Sequence, residues 1–256
     1  MTTQSAAEFD KIAREYDESR GGTARAEGFA EQLAPLLDPD RVLLDVGIGT
    51  GIVAAELVRR GIPTVGVDLA PAMLSLARRR LGAAVAVADA ARLPIRSGSV
   101  AQAVSTWLLH VVPDRAAVFQ EVARVLEPGG RYYVIPARGQ RPTDEIGVVV
   151  NELEDLLDPQ RSRQDGPEEL APTAESCGLS YLGPFGQRTK VFEESPADMA
   201  QALSAGLFSG SWTGGAKAAE ATESACAKLR ALSDPGRPRK REVVDAVLVF
   251  ERVRDV

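Results

Sequence analysis

The sequence predicts an α/β protein, doubly wound around a mostly parallel, seven-stranded sheet and carrying a small helical cap. Three observations predict it. Apolar runs of strand length alternate with helical patterns between residues 42 and 135, as repeated βαβ units require. A glycine-rich turn joins the first of these strands to the helix that follows, and an aspartate stands at the end of each of the first three: Asp45, Asp68 and Asp89.

The elements can be justified in chain order. Residues 5–20 place Phe9, Ile12, Ala13 and Tyr16 near the i, i+3, i+4, i+7 pattern with acids between them, an amphipathic helix. A second helix, about 24–37, carries Phe29, Leu33, Leu36 and Leu37 on one side and stops before Asp38-Pro39. Residues 1–37 are thus expected to form an N-terminal helical lid on the cofactor-binding half, 41–137. There the expected strands are 42–46, 64–67, 84–87, 100–106 and 131–135, separated by helices at 51–60, 71–81 and 115–126. The last helix presents Val118, Phe119, Val122, Val125 and Leu126 at helical spacing and should end before Pro128-Gly129-Gly130.

Beyond Ile135 the rhythm loosens. The stretch 138–166 is rich in Pro, Gly, Asp and Gln around one helix at 148–157, which reads as a cap inserted at the strand ends. Helices at 168–177, 197–206 and 217–232 and extended segments at 180–193 and 243–253 complete a single domain, 1–256, with cap insertions at 138–167 and 196–232.

Composition narrows the function. With 45% hydrophobic and 26% charged residues the chain is an ordinary globular protein. Thirty Lys and Arg against 36 Asp and Glu give a net charge of −6, which repels a phosphate backbone and argues against a nucleic-acid partner. The densest basic run, Arg237-Pro238-Arg239-Lys240-Arg241, reads as an exposed charged turn before a strand. Cys177 and Cys226 lie in segments that read as helical and sit in no metal-ligand spacing, so neither a metal nor a disulfide is expected. Residues 1–20 contain Glu8, Asp10, Glu15, Asp17 and Glu18, unlike a secretory signal, and no run reaches the roughly 20 apolar residues of a membrane helix. A cytoplasmic protein with no membrane partner is expected. The sequence carries no signature of an oligomeric state.

The chemistry is concentrated in Leu43-Leu44-Asp45-Val46-Gly47-Ile48-Gly49-Thr50-Gly51. Glycines at alternate positions let a ligand approach the backbone without meeting a Cβ. Two ligands compete, a dinucleotide and S-adenosylmethionine. Ile52 occupies the last small position of the dinucleotide fingerprint, and Asp45 stands where a pyrophosphate would lie. A carboxylate there repels phosphate and suits ammonium and sulfonium charge. Asp68 can accept hydrogen bonds from both ribose hydroxyls, and Asp89, with the backbone beside it, can read the adenine edge. Each acid by itself could equally be a helix N-cap.

The chain resembles the class I S-adenosylmethionine-dependent methyltransferases, within them the ubiquinone-biosynthesis-like group. The resemblance covers about residues 8–137. Its carriers are Phe9 to Asp17, the glycine turn with Asp45, then Asp68, Asp89 with Leu93-Pro94, the run Thr106-Trp107-Leu108-Leu109-His110, and Leu126-Glu127-Pro128-Gly129-Gly130. It implies S-adenosylmethionine as cofactor, held in the turn Gly47-Ile48-Gly49-Thr50-Gly51. Gly47 and Gly49 would line its methionine and ribose portion, and Asp68 would hold the ribose. Met73 or Leu69 would pack on the adenine, with Asp89 and Ala90 reading its edge and Thr106 near the amino-acid end. Tyr16 and Arg20 would close the pocket.

The implied reaction is methyl transfer to a small molecule, with an oxygen nucleophile of a natural product or quinone-like compound expected. His110, the only histidine, just past the fourth strand, is the expected general base or substrate-orienting group, against the plainer reading of a strand-end hydrogen bond. Trp107, Phe208 and Trp212 are expected acceptor-side residues; Tyr132 and Tyr133 are weaker candidates, since alternate strand residues usually fill the core. Methylation of a tRNA base and a non-catalytic S-adenosylmethionine-binding module are the alternatives.

Overall fold

The computed structural model describes residues 6–19, 21–137, 141–157, 165–206 and 215–254. Arg20, Phe208 and Trp212 lie outside them. The described chain forms two compact units: one from residues 1–137, 165–187 and 246–256, the other from 138–164 and 188–245. The segments expected as cap insertions fall mainly in the second unit, except that Asp165 to Pro167 belong to the first.

The first unit opens with α1 (Ala6–Ser19) and α2 (Gly22–Leu33), followed by β1 (Leu43–Val46), α3 (Ile52–Arg59), β2 (Thr64–Asp68), α4 (Pro71–Leu81) and β3 (Val85–Val87). Then come β4 (Val100–Thr106), α5 (Arg115–Val125), β5 (Leu126–Ile135) and, after the excursion into the second unit, α7 (Pro167–Ser176). In the second unit lie α6 (Glu145–Leu157), α8 (Pro196–Ser204) and α9 (Ala216–Arg230). Strands β6 (Leu179–Glu194) and β7 (Arg239–Arg252) are each divided between the units.

The seven strands run in the order β3-β2-β1-β4-β5-β7-β6. Strands β1 to β5 pair in parallel and β7 runs antiparallel to β5. Every residue of β1 is buried, as a strand covered on both faces must be. Between β1 and β4 the connections turn from one half of the sheet to the other, and a crevice at the strands' carboxyl ends follows.

Alternation along β5 divides two tyrosines between the faces of the sheet. Tyr132 packs with Phe119 and Phe250 and donates to Ser105 Oγ (2.7 Å), whose hydroxyl donates to the Val46 carbonyl (2.9 Å). Tyr133 packs with Phe29, Leu33 and Val104 and donates to the Leu36 carbonyl (2.7 Å). Both tyrosines belong to the core, not to an acceptor pocket.

Among the boundaries that differ from those read in the sequence, two change how residues are used. Strand β5 begins at Leu126, so Pro128-Gly129-Gly130 lies inside it: pairing jumps from Val100↔Leu126 to Gln102↔Arg131, and a bulge with Gly129 at φ +80° takes up the extra residues. Strand β7 begins at Arg239, so the basic run is only in part an exposed turn: Arg237 and Pro238 are exposed before the strand, and Arg239, Lys240 and Arg241 open it. Arg241 is 4% exposed and pairs with Asp144 (3.1 Å) and Glu194, a buried cation satisfied within its own unit. The apolar core of that unit joins Ile146 and Leu153 of α6, Met199 and Leu203 of α8, and Cys226 and Leu229 of α9. Among the described residues no helix is long and apolar enough to cross a membrane.

Gly66 of β2 shows how closely the first turn is packed against the sheet. A Cβ at this position would fall 2.8 Å from Ile48 Cβ, inside van der Waals contact. Gly66→Ala should destabilise the fold by about 1–3 kcal/mol through overpacking, read as a lower urea midpoint with unchanged slope, and adding Ile48→Ala should restore part of the loss. An unchanged midpoint in the single variant would refute this packing.

Candidate cofactor-binding site

A cavity of about 1030 Å³, counting its mouth, lies within the first unit. The carboxyl ends of β1, β2 and β4 and the segment after β3 contribute to it, as does α1 through Phe9 and Tyr16. Leu108, Val111, Val112, Pro113 and Val118 add an apolar wall.

The turn after β1 is held by its backbone. The N–H groups of Gly47 (2.8 Å) and Ile48 (2.9 Å) donate to the Val67 carbonyl, and that of Gly51 donates to the Ile48 carbonyl (3.0 Å). Gly47 lines the cavity at φ +79°, and a Cβ there would lie 2.7 Å from Leu108 Cδ1. Both backbone and space therefore demand glycine. Gly51, at φ +71°, faces protein instead: its Cβ would lie 3.1 Å from Ala77 Cβ of α4.

Asp68 ties this turn to the next one. Its Oδ2 accepts from Gly49 N–H and its Oδ1 from Ala70 N–H, both at 2.8 Å. Burial pushes the Asp68 carboxyl above its usual range, while the N–H groups of Ala70, Gly49 and Leu69 pull it back. Each oxygen retains a lone pair, so the carboxylate can also take ribose hydroxyls from the cavity side. Asp89 accepts from Ala91 N–H (2.9 Å) and is exposed on the wall.

The cavity wall brings together ten of the residues expected at the site: Tyr16, Gly47, Gly49, Asp68, Leu69, Met73, Asp89, Ala90, Thr106 and Trp107. Met73 is 2% exposed and packs with Ala13 and Ala70, whereas Leu69 is 52% exposed. Buried Thr106 Oγ1 has no hydrogen-bond partner among the described residues, a polar group available to a ligand. Trp107 has φ +55°, strained for so bulky a residue, with Phe29 edge-on at 5.2 Å and the Arg25 guanidinium 3.8 Å from its ring.

Four expected residues stand elsewhere. Thr50 is buried and donates to Asp17 Oδ1 of α1 (2.6 Å), and Gly51 serves helix packing. His110 is off the wall. In the turn after β4, Leu109 enters the core and His110 Nδ1 lies 3.9 Å from Asp165 Oδ2, while Leu108 and Val111 reach the cavity. Asp45 is 2% exposed and lies beneath the turn rather than at its mouth, because β1 is buried on both faces. Burial first, then the neighbouring Asp68, raises its carboxyl to about 8, so it is largely protonated at neutral pH.

Sequence reasoning passed over Phe9, the apolar turn 111–113, and Asp165. Phe9 was legible as a seven-residue echo of Tyr16 on α1; Asp165 follows a segment with no periodic pattern and left no signal.

The donor set fits S-adenosylmethionine. Among the described wall residues the acids are Asp68, Asp89 and Asp114, and none is Lys, Arg or His. Such a wall favours a cationic ligand and opposes a phosphate-bearing one.

Comparison with known proteins agrees. Residues 44–134 match the family described as Methyltransferase domain. The chain is 38% identical over 133 residues to the biotin biosynthesis bifunctional protein BioHC of Cellvibrio japonicus, covering 50% of this chain and 26% of that protein. It is 35% identical over 149 residues to the demethylmenaquinone methyltransferase of Mycolicibacterium vanbaalenii, covering 57% of this chain and 64% of that one. The match therefore spans less than two thirds of either relative. The solved [4+2]-cyclase SpnF superposes with a TM-score of 0.59 at 18% identity, over 99% of this chain and 97% of its own, a likeness of fold alone. Over residues 44–134 the chain thus matches a methyltransferase domain, and over about half its length it is similar to proteins named as methyltransferases, which with the acid-lined cavity supports S-adenosylmethionine as the cofactor.

The position of Asp45 gives a signed pH dependence. Its folded value of about 8 exceeds the ordinary 3.8, so between these values the folded state binds more protons than the unfolded chain. Its contribution to stability is complete below 3.8 and is lost as pH climbs to about 8. Without cofactor, the urea midpoint should fall over this window, and Asp45→Asn should flatten the fall. An equally steep fall in the variant would show that another group is responsible.

Proposed function

We propose that this chain transfers the methyl group of S-adenosylmethionine to a small-molecule acceptor. The observation that carries the reading is the cavity wall, where Gly47 and Gly49 stand with three carboxylates and, among the described residues, no cation. When bound, the sulfonium supplies a methyl group electrophilic enough to pass directly to an aligned nucleophile, without a covalent enzyme intermediate. The chain's own task is alignment and exclusion of water. Gly47 and Gly49 admit the cofactor against the backbone, Asp68 holds the ribose and Asp89 with Ala90 takes the adenine edge. Leu108, Val111 and Val112 keep the wall dry.

The acceptor is, in this reading, a phenolic natural product or quinol methylated at oxygen; His110, behind the wall in the turn that carries Leu108 and Val111 to the cavity, takes the proton once the acceptor is seated, and the Asp165 carboxylate 3.9 Å from its Nδ1 favours the protonated ring. A second reading, methylation at carbon, is favoured by the relative from Acidiphilium cryptum named ubiquinone/menaquinone biosynthesis C-methyltransferase, 33% identical over 141 residues. The acid wall weighs against both a tRNA acceptor and a dinucleotide cofactor.

Calorimetry tests the cofactor. S-Adenosylmethionine and S-adenosylhomocysteine should bind at micromolar concentration and NADH should not, while Asp68→Asn should weaken binding about 10- to 100-fold by removing a charged acceptor. NADH binding in their place would overturn the assignment. The acceptor is tested by turnover of quinols and phenols with carbon-13-labelled methyl donor, since NMR separates O-methyl from C-methyl products. If His110 takes the proton, His110→Gln should lower O-methylation about 100-fold or more; undiminished turnover would remove it from the mechanism.

A further inference from the structure

The dipeptides Phe9-Asp10 and Tyr16-Asp17 stand seven residues apart on α1, two helical turns, so both aromatics lie on one stripe and both acids on the next. The aromatics line the cavity and meet edge to face at 6.1 Å. The acids tie the helix down. Asp10 Oδ1 accepts from Ala72 N–H (2.8 Å), capping α4, whose own N-cap, Ala70, offers no side-chain acceptor. Between the acids, Ala13 packs against Ala70 and Met73.

At the far end three residues close a ring. Asp17 Oδ1 accepts from Thr50 Oγ1 (2.6 Å) and Oδ2 from Arg80 Nη2 (2.7 Å), while Arg80 Nη1 donates to the Thr50 carbonyl (2.6 Å). The ring joins α1, the turn after β1 and α4. Its ion pair is only partly buried, with Asp17 17% and Arg80 32% exposed, so it is strong enough to hold and weak enough to release.

We infer that Asp17 and Arg80 are positioning residues for the cofactor, an ionic latch that keeps Phe9 and Tyr16 of α1 closed over it and sets its rate of release. The inference rests on the cofactor reading above. Neither residue lines the cavity; both act through the helix that does.

The test uses the full chain and S-adenosylhomocysteine, with dissociation followed by stopped-flow displacement. Arg80→Met and Asp17→Asn should each raise the dissociation rate by about three- to tenfold, the scale of a partly buried charged pair. Arg80→Lys should recover part of the loss. Raising salt from about 0.05 to 1 M should speed release from the wild type and barely affect Arg80→Met, because the screened pair is already gone. A purely structural role would not give this salt signature. Wild-type release rates in both variants would sink the latch and leave the cofactor assignment standing; failure of the wild type to bind S-adenosylhomocysteine or S-adenosylmethionine would sink both.

Discussion

The site depends on the carboxylate of Asp68. One oxygen holds Gly49 N–H in the turn after β1 and the other holds Ala70 N–H at the start of α4. A single side chain thus sets the separation of two backbone segments that form the cavity wall. Burial makes this charge costly, and the convergent N–H groups offset the cost, which is why the carboxylate can stand there at all. Asp10 performs the same service for α4 from outside the sheet, and Asp17 does so for the turn through Thr50. The N-terminal helix is thereby part of the site's frame.

Charge gives this cavity its chemical character. The fold is shared with a protein described as a [4+2]-cyclase, so the sheet does not choose the reaction; side chains at its edge do. Among the described wall residues three are acids and none is a base, and Asp45 is buried below the turn. Asp45 is protonated near neutral pH in the absence of a cation, and a sulfonium or ammonium group nearby would draw it towards its ionised form. The electrostatic preference for a cationic ligand is therefore shared by several carboxylates.

Local pattern reveals some of this and hides the rest. The period of α1, the glycine turn and the strand-end acids were legible because each is set by a few consecutive residues. Asp45 was read correctly as a strand residue and placed wrongly at the mouth, because its exposure depends on what covers β1 from both sides. His110 was legible as a residue after β4, yet its place beside Asp165, 55 positions later, belongs to a return of the chain that no local spacing announces. Arg241 looked like surface charge until Asp144 and Glu194 were seen to enclose it.

By itself, the sequence determined the βαβ order, the glycine conformation after β1 and the resemblance to methyltransferases, since backbone sterics, hydrophobic period and short motifs act over short distances. Only the tertiary structure decided which acids face the cavity, which are buried and which tie helices down. The physical reason is that a carboxylate's role is set by its partners and its access to water, and both arrive from distant parts of the chain.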